Sequence, residues 1–201
     1  RFLGVCFKYD LTWTDHMDQV RLKASRSIGL WQRVKYLLPL RLRKQIYFSV
    51  VHSYFMYCQL VWGTCNKSDS DRLFSLQFRA LKAVFRSAPI AKESLHDAVE
   101  VLPYYQLYDF SLAVLIFHNI KHDFTSFSTK YLNRNLTHNL RTVSMVWSKS
   151  RTNYGTPMID NQIVKLCNTY PLMINCIQDC KTLSQFKKRM KLMLSSPASF
   201  V

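Results

Sequence analysis

Arg72, Ser75, Arg79, Lys82 and Arg86 follow one another at alternating separations of three and four residues, the spacing that lines up one face of an α-helix. Four cations on such a face repel one another unless a polyanion lies along it. The chemistry on offer is therefore the non-covalent holding of phosphates, with a merely solvated face as the alternative. Arg26 and Arg33 form a second group, seven residues apart, and Arg41, Arg43 and Lys44 form a third just after Pro39. A proline at or near the first helical position opens a helix, whose N-terminal end favours anions over cations. Cations gathered there point to an external anion such as phosphate, with a solvated charge run as the plainer alternative.

Bond-making chemistry is poorly supplied. There are twelve acids, no glycine-rich phosphate loop, and no Ser/His/Asp or Cys/His signature. Asp69 and Asp71 are the one close acidic pair, and their setting after Asn66 suits helix capping. His118 and His122 stand one turn apart, but Asn119 follows the first where a zinc protease has its glutamate. Six cysteines, at 6, 58, 65, 167, 176 and 180, lack the paired spacing of a zinc site and suit free thiols in a reducing, intracellular setting, nuclear or cytoplasmic. The chain is expected to hold no metal or cofactor and to catalyse nothing alone.

The 201 residues carry a net charge of +16, and 48% of them are hydrophobic. That is enough apolar material for a core, and an excess of cations suited to a nucleic-acid partner. The charge is uneven: residues 1–88 hold 15 Lys and Arg against 5 acids, 89–123 hold 2 against 5, and 124–201 hold 11 against 2. Basic helices without a broad spare apolar face argue against a membrane surface.

The elements that position these cations read as a mainly α chain: a helical, thumb-like bundle, then a mixed, partly irregular C-terminal region ending in a helix. Residues 1–10 end a strand, 11–88 form the bundle, 89–123 a connector with an apolar helix from Tyr104 to about His122, and 124–201 the C-terminal region. In the bundle, Thr12 and Asp15 predict a capping box. Met17, Val20, Ala24, Ile28, Trp31 and Leu38 recur at helical spacing, with Lys23, Arg26 and Arg33 opposite. The uncharged stretch from Gln45 to Asn66 predicts one buried helix, with a narrow polar edge of Gln45, Ser49, His52 and Gln59. The third helix turns Leu73, Ala80, Leu81 and Val84 inward. From Asp123 the Ser/Thr/Asn-rich tract, including Arg141-Thr142, Arg151-Thr152 and Tyr154-Gly155, reads as short strands and turns. Regular structure is expected again from Thr182, with Leu183, Phe186, Met190 and Leu194 as an apolar seam. The cations of separate helices are expected to converge on one outer surface.

Phe2-Leu3-Gly4-Val5, Trp13 with His16, Ser27-x-Gly29-Leu30, Leu38-Pro39, Tyr47, and Tyr54-x-x-Tyr57-Cys58-x-x-Val61-Trp62-Gly63 stand in order, followed by Leu76-Gln77 and Arg79-Ala80. Together with Leu140-Arg141-Thr142, Arg151-Thr152-x-Tyr154-Gly155, Asn168 to Pro171 and Leu183-x-x-Phe186-Lys187, they resemble the region after the palm in reverse transcriptases of non-LTR, LINE-type retrotransposons. Cys167 departs from the pattern, standing where that family usually has tryptophan. The resemblance implies a thumb-like domain over residues 11–88 that holds an RNA/DNA template-primer duplex. It also implies a palm and fingers upstream of Arg1 as partners, with magnesium on palm aspartates that this chain lacks. The reading from a different class is a non-catalytic helical protein-interaction module whose charge serves solubility.

Overall fold

A computed structural model describes residues 1–10, 12–85, 101–127, 131, 155 and 157–195. The described residues are mainly helical, without a named strand. The chain divides into two compact units, Arg1–Tyr108 and Asp109–Val201.

In the first unit α1 spans Thr14–Val34 and buries Met17, Val20, Ala24, Ile28 and Trp31 of the predicted row, whereas Leu38 falls beyond the helix end and is half-buried. Its start differs from the expected capping box. The backbone N–H and hydroxyl of Thr12 both donate to Asp10 Oδ1, at 3.0 and 2.7 Å. That nearer acceptor takes the side chain before it can cap the helix. Phe2–Val5, expected as the end of a strand, is instead a tight turn in which Phe2 and Val5 exchange both backbone hydrogen bonds at 2.9 Å. Leu3 and Gly4 both have positive φ, 45° and 80°, and Tyr57 Oη ties the turn to the bundle by donating to Leu3 O at 2.6 Å.

The stretch expected as one buried helix is several. After Pro39 come α2 (Leu40–Ile46), a widened π-helical segment (Tyr47–His52) and α3 (Ser53–Met56). The chain then turns through an extended Tyr57 and a left-handed Cys58, and resumes as α4 (Gln59–Trp62). Trp62 Nε1 donates to the Tyr57 carbonyl at 2.8 Å, satisfying an acceptor freed by the break. Tyr47, Val51, Phe55, Gln59 and Trp62 form the buried row, while Phe48, Ser49, Ser53, Tyr57 and Val61 are exposed. Gln59, expected on the polar edge, is thus buried, and the stretch is amphipathic rather than enclosed. Helix α5 (Lys67–Phe85) completes the core, packing on α1 and the π-helical segment. Its buried Gln77 donates to Leu102 O at 2.9 Å and to Tyr47 Oη at 3.3 Å.

Helix α6 (Tyr104–His122) carries the boundary between the units; α7 is Phe124–Phe127. In the second unit α8 (Ile159–Thr169) and α9 (Leu172–Asp179) fall where irregular structure was expected, ahead of α10 (Leu183–Ser195). Ile163, Val164, Leu166 and Cys167 of α8, and Met173, Cys176 and Ile177 of α9, are buried at helical spacing. Each run is too short for its period to stand out against polar flanks. Phe186, Met190 and Leu194 form the predicted seam of α10, with Phe186 stacked on Phe117 at 4.8 Å. Arg141-Thr142, Arg151-Thr152 and Tyr154 lie outside the described residues.

Candidate nucleic-acid interface

The best-defined basic surface lies on α5. The Asn66 side chain caps this helix by accepting the Asp69 N–H at 2.8 Å, and the Ser70 N–H donates to the Asn66 carbonyl at 3.1 Å. Asp69 sits in the first helical turn. The same rotation that buries Leu73, Leu76, Ala80, Leu81 and Val84 leaves Arg72, Ser75, Arg79 and Lys82 exposed on the far side. Arg86 lies outside the described residues.

Arg72 is partly compensated, since its Nη1 stands 3.4 Å from the buried Asp69 carboxylate. Lys82 Nζ sits 4.7 Å from the centre of the Phe78 ring, and Lys44 of α2 arrives 5.7 Å from that of Phe85. Phe78 and Phe85 are seven residues apart and share one side of α5, so the fold brings Lys44 and Lys82 onto neighbouring rings. Sequence reasoning named both lysines but not the rings that seat them. The signal was present in the spacing of Phe74, Phe78 and Phe85.

Other expected contacts separate from this surface. Arg43 is only 7% exposed and is buried in the bundle, so it cannot face a duplex. Its position follows from α2's rotation: four residues before Tyr47, it heads the buried row that continues through Val51 and Phe55. Arg41 is exposed on α2, and Arg26 and Arg33 lie opposite the buried face of α1. Helices α1 and α5 and the π-helical segment pack on one another, and the cations of α1 and of α5 lie on the faces turned away from that packing. Among the described residues none of Arg26, Arg33, Arg41, Arg79 and Lys82 meets a carboxylate.

No protein-family model matches this chain, and no curated protein or solved structure matches it either.

Among the described residues no three of His, Cys, Asp or Glu come together as a metal-ligand set, and no helix is long and apolar enough to cross a membrane. The exposed α5 surface can attract phosphate oxygens, orient them along a row and release them as salt rises.

Proposed function

We propose that this chain is a part of a LINE-type RNA-directed DNA polymerase that grips the template-primer duplex through α5, without catalysing by itself. The observation that carries the reading is the exposed row of Arg72, Arg79 and Lys82, joined by Lys44 and turned away from a fully packed helix face. The resemblance in motif order supports the same assignment. A polymerase must pass along any sequence, and a row of cations suits contact with the phosphates that every sequence presents.

Titrating an RNA–DNA hybrid at several salt concentrations tests this. Four phosphate contacts would give a log K against log salt slope of about −3 to −4, and Arg79→Ala with Lys82→Ala should flatten it by about two units. A response that ignores salt, or slopes that do not move in the double variant, overturns the reading.

A second reading has its own observation. Leu22 and Leu30 stand exposed on the outward side of α1, interleaved with Arg26 and Arg33, and Leu37 is exposed in the turn that follows the helix. A helical interaction module would use that face. A tight protein complex that survives neutralisation of the α5 cations would favour it.

A further inference from the structure

The second unit holds a pair of thiols that the function above does not use. Cys176 Sγ and Cys180 Sγ are 3.9 Å apart, both side chains buried, at the C-terminal end of α9. We propose that these two cysteines form a dithiol site that closes reversibly to a disulfide by exchange with the disulfide of a low-molecular-weight thiol.

Four observations support it. Residues four apart on a helix lie on one face with their Cα atoms about 6 Å apart, inside the roughly 4.4–6.8 Å that disulfides span. Cys180 is the residue at which α9 ends, with an extended backbone (φ −79°, ψ 122°), so the last turn can unwind without disrupting a continuing helix. A hollow of about 390 Å³ between α9 and α10, lined by Leu172, Asn175, Cys176, Asp179, Arg189 and Met193, gives an incoming reagent a way to the Cys176 sulfur. Finally, Arg189 lines the same hollow as Cys176, so a thiolate formed there meets a cation, one that Asp179 Oδ2 shares at 3.9 Å. Burial and the neighbouring Cys180 push the Cys176 thiol up, and Arg189 opposes them.

The exchange balances without any further reagent. The Cys176 thiolate attacks one sulfur of the incoming disulfide, forming a mixed disulfide and releasing one small thiolate. The Cys180 thiolate then attacks the Cys176 sulfur, closing the protein disulfide and releasing the second. The two protein thiols lose two electrons and two protons, and the small disulfide gains them as two thiols. Cβ atoms one helical turn apart start about 5–6 Å from each other, whereas a disulfide holds them at roughly 3.5–4.5 Å. Closure must therefore loosen the Cys180 N–H bond to the Cys176 carbonyl, now 3.1 Å. A bond formed against that resistance is readily reduced, as labile rather than structural disulfides are.

The test incubates the intact chain with oxidised glutathione, monitors helix content by circular dichroism, and localises the products by alkylation and mass spectrometry. The expected result is a Cys176–Cys180 disulfide in the folded chain, opened again by reduced glutathione, while Cys167 stays a free thiol. Cys180→Ser should stop at a glutathione adduct on Cys176, whereas Cys176→Ser should leave Cys180 unmodified. Closure only after unfolding, a persistent adduct on Cys176 in the unaltered chain, or no adduct on Cys176 in the folded Cys180→Ser protein overturns the proposal.

Discussion

At the scale of single residues, the tightest constraint is at Gly63. A Cβ there would come within 2.3 Å of Tyr108 Cδ2 and 2.5 Å of the Gln59 carbonyl, and neither a packed ring nor a helix backbone yields cheaply. Gly63→Ala should lower unfolding stability by about 1–3 kcal/mol, read as a fall in urea midpoint. The glycine was legible as the end of a helix, but its need for a bare Cα was not. That need comes from a tyrosine 45 positions later in the chain. Buried thiols supply a second prediction. Burial pushes Cys65 up to about 11 and Cys167 up to about 12 from an ordinary 9.0, and Asp69 adds to the effect at Cys65. Both groups hold their protons more tightly folded than unfolded. Their stabilisation is complete below pH 9 and drains away as pH rises through 11 and 12. Urea unfolding at pH 7.5 and 10.5 should show the loss, and Cys167→Ala should lessen it.

Among the elements, α1 and α5 were legible because each is long, with one polar and one apolar face that survive packing intact. The Gln45–Asn66 stretch was not. Its break falls at Tyr57 and Cys58, where neither glycine nor proline marks it, and it is held by contacts to Trp62 Nε1 and Leu3 O. Its aromatic content also hid its exposed side, because Phe48, Tyr57 and Val61 read as core. The same limit explains Arg43. A cluster of cations at a helix start specifies charge density, whereas rotation of the helix decides which cation turns inward. The contrast yields a prediction with two arms. Arg43→Ala should destabilise the bundle by about 1–3 kcal/mol, because it empties a buried position. Arg79→Ala should leave unfolding stability within about 0.5 kcal/mol and weaken hybrid binding instead. If both substitutions act on binding alone, the assignment of Arg43 to the core fails.

For the whole molecule, a net charge of +16 makes compaction work against self-repulsion, so added salt should raise the thermal midpoint by screening. Screening alone cannot tell a surface that holds a polyanion from one that only solvates the protein. The α5 row can. Arg79 and Lys82 are three residues apart, a distance at which like charges cost a few tenths of a kcal/mol. Replacing both with glutamine should therefore raise stability slightly at low salt, while removing most of the further stabilisation that an RNA–DNA hybrid confers on the unaltered chain. A bound ligand at a hundred times its Kd adds about 2.7 kcal/mol, well above the gain from relieved repulsion. The two effects have opposite signs in one variant, and calorimetry with and without hybrid separates them. A row kept for duplex binding carries a stability cost that only its ligand offsets. If the double substitution leaves the hybrid's stabilisation whole, α5 is a solvated face and the exposed leucines of α1 become the surface to follow.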